Sequence, residues 1–109
     1  MPIRRGLVGA PRDYLAPSGA WPNGPFEKNA PVSVLYAAHI ASALDSAIDN
    51  AGMTRTAAAE ALEIARPTLY DVLGGRTFPD LHTIAKAEQA LGVQLWPDSG
   101  ASGKLPAAR

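Results

Sequence analysis

The chain has 109 residues, of which 47% are hydrophobic and 6% aromatic, and its formal net charge is zero. This length allows one domain of ordinary size, and the low aromatic share predicts a core of small, closely packed side chains. Cys is absent, which excludes disulfide bonds and thiolate metal sites. The sequence also lacks a run of about twenty apolar residues, so we expect no membrane partner or membrane span.

Residues 1 to 32 are rich in Pro and Gly, which break helices and long strands. We therefore predict an extended arm over this segment. Its apolar residues include Tyr14, Trp21 and Phe26, and they leave two interpretations open from composition alone. The arm is either a flexible leader, or it lies over the rest of the domain or over a partner.

Residues 33 to 97 show helical periodicity, which predicts an all-α fold, a compact domain of four to five helices. The first helix follows Ser33 and extends from Val34 to Ala51, where apolar residues recur at three and four positions, and Gly52 is expected to stop it. Asp80 predicts the N-cap of a later helix that Gly92 closes. Val93, Leu95 and Trp96 are then expected to fold back over the core, and residues 98 to 109 form a flexible tail.

The segment from Met53 to Arg76 predicts two short helices joined by a tight turn. Thr54 is a suitable N-cap for the first, whose predicted buried residues are Ala58, Ala59 and Leu62. Pro67 marks the start of the second, Gly74 and Gly75 mark its end, and Leu69, Val72 and Leu73 form its apolar face. The small side chains of Ala58, Ala59 and Ala61 would let the two helices approach closely.

This segment resembles the helix-turn-helix domain of the lambda repressor and Cro type (XRE-like). The residues that match the family pattern in register are Thr54, Ala59, Ile64, Leu69, Val72 and Gly75. The resemblance continues from Arg76 to Val93, through Pro79 and the closing Leu-Gly-Val.

Three positions depart from the family pattern. Arg55 replaces the usual Gln, Glu63 replaces the Gly of the turn, and Ala65 replaces a capping Ser. Glu63 must either adopt a left-handed backbone or bend the turn differently. Because Pro67 disfavours helical geometry in the residue before it, Arg66 is an alternative cap, with Pro67 as the first helical residue.

The resemblance implies a sequence-specific DNA-binding transcriptional regulator, repressor-like and bacterial or phage-encoded. Such a protein is cytoplasmic and binds double-stranded DNA as a homodimer, without a cofactor. The third helix would enter the major groove, and its exposed residues near the start include Pro67. By position, Arg66, Thr68 and Tyr70 would read base edges, although Tyr70 has the alternative of packing against the second helix.

The remaining DNA contacts are also assigned by position. Arg55 would lie close to a phosphate or a base, and Arg76 would bind a phosphate. Asp71 would accept a bond from cytosine or orient Arg66, and the backbone N–H groups of Thr54 and Gly75 would reach phosphates. Basic arms enter the minor groove in other helix-turn-helix proteins, which makes Arg4 and Arg5 candidates for a minor-groove arm.

The charge distribution favours an alternative function. Residues 33 to 98 hold four basic and eight acidic side chains, a net charge of −4, so DNA binding requires Arg55, Arg66 and Arg76 to share one side of the domain. The alternative is a protein-interaction module, such as an antitoxin or adaptor, whose acidic faces and arm bind a protein partner.

Catalytic and metal chemistry find little support in the sequence. The chain contains no Cys, and its two histidines, His39 and His82, are not spaced four residues apart as a helical metal-binding pair would be. The sequence therefore predicts no metal site. The segment from Gly100 to Lys104 lacks the spacing of a phosphate loop. No nucleophile, base and orienting acid can be grouped, so we expect that the protein is not an enzyme.

Overall fold

The computed structural model describes residues 9–97. It contains four α-helices, a two-stranded antiparallel sheet and one short 3-10 helix. The 3-10 helix is Pro11–Tyr14, the strands are β1 (Leu15–Ala20) and β2 (Gly24–Phe26), and the helices are α1 (Val32–Asn50), α2 (Arg55–Leu62), α3 (Arg66–Leu73) and α4 (Leu81–Leu91). None of the helices in this described part is long and apolar enough to cross a membrane.

The sheet shows that the prediction of an all-α fold is wrong, since the chain folds as a small mixed α and β domain. Both strands come from the arm, with Leu15 opposite Phe26 and Ala20 opposite Gly24. Pro and Gly exclude a long α-helix here but not a short hairpin, because both strands of a two-stranded sheet are edges, where a missing N–H donor is tolerated. The arm is therefore extended, as predicted, but it is paired with itself.

The described part of the arm packs on the helices. The Phe26 side chain is fully buried with Val34 and Ala38 of α1, and Trp21 meets Phe26 edge to face with ring centroids 5.9 Å apart. This confirms the interpretation that the arm lies over the domain and rules out a flexible leader for residues 9–31. Arg4 and Arg5 lie outside the described residues, as do residues 98 to 109 of the predicted tail.

The main core lies between the four helices. Ala58 and Ala59 are buried on α2, where their small side chains allow a close approach, as predicted. Ala61 is exposed, so its predicted part in helix packing is wrong. The other buried members come from all four helices and the chain after α4: Ile40, Leu44, Ile48, Leu62, Leu69, Val72, Ile84, Ala87 and Leu95.

Several predicted helix ends are confirmed. Thr54 Oγ1 accepts a hydrogen bond from the N–H of Ala57 at 3.0 Å, and Asp80 Oδ1 accepts one from Thr83 at 2.7 Å. Gly92 ends α4 in the left-handed conformation, with φ of 65°. The start of α1 differs from the prediction, because the helix begins at Val32 after Pro31 instead of after Ser33.

The chain after α4 turns back onto the core without forming a fifth helix in the residues described. Leu95 is buried, as predicted, whereas Val93 and Trp96 are exposed. Glu88 holds this segment, because its Oε2 accepts bonds from the N–H groups of Leu95 at 2.8 Å and Trp96 at 3.0 Å. The bonds from Trp96 and Leu95 lower the pKa of the Glu88 carboxyl.

Candidate nucleic-acid interface

The turn between α2 and α3 is built on Glu63. This residue adopts the left-handed conformation, with φ of 61° and ψ of 40°, in place of the Gly that the family pattern has. Its carboxylate accepts a hydrogen bond from Lys86 Nζ of α4 at 2.6 Å, and this bond and the Lys86 charge lower the pKa of Glu63. The next residue, Ile64, packs against the main core. The packing of Ile64 and the ion pair of Glu63 with α4 therefore both help to hold the turn.

Helix α3 starts at Arg66. The alternative prediction, with Arg66 as the cap and Pro67 as the first helical residue, placed this start one residue too late. Ala65 is the N-cap, with an extended backbone and no side-chain cap bond, and Arg66 is the first helical residue. Pro67 is then the second residue, where an N–H has no partner within the helix, so a proline is accommodated.

One face of α3 is open to solvent near its start. Arg66, Pro67 and Thr68 are exposed, Asp71 is half-buried, and the Tyr70 side chain is 43% exposed. Leu69 and Val72 point the other way into the core, as predicted. The contacts between the arm and α3 lie further along, at Leu73 to Gly75, so they leave the exposed residues near the start uncovered.

The three arginines have different environments. Arg66 Nη1 donates to the Thr56 hydroxyl at 3.1 Å, which places the start of α3 beside the first turn of α2. Arg55 instead forms an ion pair with Asp45 of α1. Arg76 lies at the other end of α3, where Nε meets Asp71 Oδ1 at 3.1 Å. Of the three, Arg66 is therefore the one that the described contacts do not place in an ion pair.

Two of these contacts bear on the predicted roles of single residues. Because the Asp71 carboxylate binds Arg76, the structure does not bring it to Arg66. The Nη2 of Arg76 also donates to the carbonyl of Tyr70 at 2.9 Å. Arg76 therefore stabilises the last turn of α3 as well as carrying a positive charge there.

Thr54 and Gly75, the predicted backbone donors, differ in accessibility. Thr54 is exposed and begins α2. Gly75 is buried under the indole of Trp21, and its N–H donates to the carbonyl of Val72 at 3.2 Å. Gly75 consequently shapes the end of α3 and does not belong to its exposed face.

The structure adds Arg12 of the arm, for which the sequence predicted no role. Its Nη1 donates to the carbonyl of Gly74 at 3.2 Å, and its backbone N–H donates to the carbonyl of Gly75 at 2.9 Å. No sequence pattern connects residues so far apart in the chain. Within residues 9–97, no group of three His, Asp or Glu side chains is arranged to hold a metal ion.

We compared the chain with models of protein families, with curated proteins and with solved structures, and none of the three comparisons gave a match. The resemblance to the lambda repressor and Cro type therefore stays a prediction from the sequence.

Proposed function

We propose that the protein is a sequence-specific DNA-binding regulator, repressor-like, that inserts α3 into the major groove. The observation that carries this proposal is the uncovered start of α3, where Arg66, Thr68 and Tyr70 are exposed beside the first turn of α2. A helix presented in this way fits the width of the major groove, and Arg binds guanine through two acceptors at once. In this proposal Arg66, Thr68 and Tyr70 read bases, Arg76 binds a phosphate, and the protein acts in the bacterial cytoplasm.

The environment of Arg55 limits its part in this interface. Its ion pair with Asp45 reduces the net positive charge available at the start of α2. Arg76 is paired with Asp71 in the same way, so phosphate attraction then depends mainly on Arg66 and on the N–H groups at the start of α2, near Thr54. We expect affinity for a single domain to be modest for this reason.

Modest affinity is the argument for a homodimer. Two copies that bind two half-sites combine their contacts, which raises both affinity and discrimination. The half-sites would lie about one helical turn apart, or a multiple of it, on a pseudo-palindromic duplex.

A salt titration on double-stranded DNA tests the proposal. The dissociation constant is measured by fluorescence anisotropy with a labelled duplex of mixed sequence between about 50 and 200 mM salt. We expect binding that weakens steeply as salt rises, because each phosphate contact releases counterions. Absence of binding at the lowest salt would overturn the proposal.

A protein-interaction module is the second candidate function, favoured by an apolar groove that is lined by residues of α1, of α4 and of the chain on either side of α4. Tyr36 and Trp96 meet edge to face there, with ring centroids 5.7 Å apart, and Trp96 is 45% exposed. The other lining residues, mostly apolar, are Ser33, Ala37, Ile40, Phe78, Pro79 and Ile84. An exposed aromatic ring such as Trp96, packed on the half-buried Tyr36 beside an apolar groove, is typical of a surface that takes an apolar side chain of a partner.

The arm contributes less to this second candidate than the sequence suggested. Phe26 and Trp21 are used within the chain itself, so they are not available to hold a partner. The two candidates separate by mutation, because Trp96→Ala should leave DNA affinity unchanged if α3 is the functional surface. A Trp96→Ala variant that folds normally but loses DNA binding would contradict the placement of the DNA interface at the start of α3.

A further inference from the structure

Two guanidinium groups lie around Gly74, where α3 ends. Arg12 Nη1 donates to the Gly74 carbonyl at 3.2 Å. The Arg76 guanidinium also lies close to Gly74, because a Cβ added to this glycine would be 2.6 Å from Arg76 Nη1. Side chains from the arm and from the loop after α3 are thus brought to the same glycine.

The position of Arg12 is fixed by its neighbours. Pro11, immediately before it, is fully buried, and the N–H of Arg12 donates to the carbonyl of Gly75 at 2.9 Å. Arg12 itself is exposed. The backbone is therefore anchored to the domain while the side chain faces solvent.

Among the described contacts at this end of α3, a carboxylate offsets the charge of Arg76 but not that of Arg12. Asp71 is engaged with Arg76, and the Asp13 carboxylate accepts a bond from the N–H of Ala10 at 3.0 Å, back within the arm. Arg12 is bonded here to carbonyl oxygen, which is neutral. A guanidinium has five N–H donors, so one bond to Gly74 leaves several for the oxygens of an anion.

From this arrangement we propose that Arg12 is a DNA phosphate contact that acts beside Arg76. The proposal rests on the proposed function, since it concerns the same duplex. Tyr70 precedes Gly74 by about one helical turn, about 6 Å along the axis. In this proposal, a phosphate strand that borders the exposed face of α3 continues past the end of the helix to Arg12. The folded arm thereby contributes one cation to the DNA interface.

The simpler role for Arg12 is structural, because arginine side chains commonly stabilise the carbonyl groups at a helix C-terminus. A salt titration of matched variants distinguishes the two roles. Arg12→Gln keeps a side-chain N–H donor for the Gly74 carbonyl but removes the charge. Lys28→Gln removes one charge from an exposed residue after β2 and serves as the control. Arg12→Lys restores the charge.

The slope of the logarithm of the binding constant against the logarithm of salt concentration is the readout, because a purely structural role would not change it. For Arg12→Gln we expect a slope smaller in magnitude by about 0.9 per chain, so that affinity falls roughly 3.5-fold less between about 50 and 200 mM salt. Lys28→Gln and Arg12→Lys should keep the slope of the unmodified protein. Melting temperatures of all variants, measured in parallel, verify that they are folded.

Three outcomes are informative. A reduced slope in Arg12→Gln alone supports the phosphate contact. An unchanged slope in Arg12→Gln, with salt-dependent binding by the unmodified protein, overturns the role of Arg12 and leaves the proposed function standing. No DNA binding by the unmodified protein overturns both.

Discussion

The indole of Trp21 lies directly against Gly75, and its Nε1–H donates to the carbonyl of Leu73 at 2.9 Å. A side chain at Gly75 would collide with the ring, since a Cβ there would be 2.5 Å from two of the indole carbons. Gly75 also has a positive φ of 74°. This contact attaches the arm to the end of α3 and thus holds the helix that we propose to enter DNA.

We predict that Gly75→Ala destabilises the protein more than Gly52→Ala does. Gly52 has a similar φ of 70°, but nothing lies within 4 Å of a Cβ there, so this variant measures the backbone cost alone. That cost is about 1 to 2 kcal/mol, and overpacking against Trp21 adds about 1 to 3 kcal/mol for Gly75→Ala. Urea denaturation followed by circular dichroism gives the free energies of unfolding.

A double-mutant cycle with Trp21 tests whether the indole causes the extra cost of Gly75→Ala. In a Trp21→Ala background the extra cost of Gly75→Ala should disappear, because the ring that it collides with is gone. If Gly75→Ala costs the same with and without the indole, the contact does not set the packing at the end of α3.

A second prediction concerns the left-handed backbone of Glu63. Glu63→Gly and Glu63→Ala both remove the ion pair with Lys86, but glycine alone relieves the positive φ. We therefore expect Glu63→Gly to melt several degrees higher than Glu63→Ala in differential scanning calorimetry. Equal melting temperatures would mean that the turn carries no such strain.

A third prediction concerns stability at acid pH. The bonds from Trp96 and Leu95 lower the pKa of Glu88 below its ordinary value of 4.5, so the ionised carboxylate stabilises the folded state above that pH. The contribution is lost as the pH falls through the lower pKa of the folded protein. Glu88→Gln should accordingly melt a few degrees below the unmodified protein at neutral pH, with the difference narrowing below pH 4.5.

Glu60→Gln, on the exposed side of α2, is the control for this pH series. Asp80 contributes in the same direction, because the bond from Thr83 lowers its pKa, so the Glu88→Gln variant should still lose part of its stability in acid. A difference between Glu88→Gln and the unmodified protein that stays constant from neutral to acid pH would contradict the role assigned to the Glu88 charge.

A fourth prediction separates base reading from phosphate binding. We expect Arg66→Ala to relax the base preference at one position of each half-site, at a cost of about 1 to 3 kcal/mol for the preferred base. Arg76→Ala should weaken binding to all sequences by a similar factor. Competition binding with duplexes that vary one position at a time provides the comparison, and a uniform loss in both variants would exclude base reading by Arg66.

Local chemistry made the helices predictable, whereas the arm depended on distant contacts. Thr54, Asp80 and Gly92 act within a few residues of their own positions, so their caps follow from neighbouring sequence. The hairpin instead depends on Phe26 packing against Val34 and on Trp21 meeting Leu73. Pro and Gly indicate where helices cannot form, but they do not indicate which surface an extended segment will cover.

The candidate interface was predictable in outline and less so in its charges. Helical periodicity placed Leu69 and Val72 inside, which leaves Thr68 and Tyr70 outside. Pairing of Arg55 with Asp45 depends on how α1 and α2 pack together, so spacing along the chain does not reveal it. For the same reason, spacing along the chain does not place Arg12 beside the end of α3.

The central claim is that α3 selects a DNA sequence. Selection of duplexes from a random pool by the unmodified protein, followed by sequencing, tests it most directly. We expect an enriched motif with two-fold symmetry, and a parallel selection with Arg66→Ala should lose the preference at one position in each half. Sequences that remain as random as the starting pool after repeated rounds at low salt would contradict it.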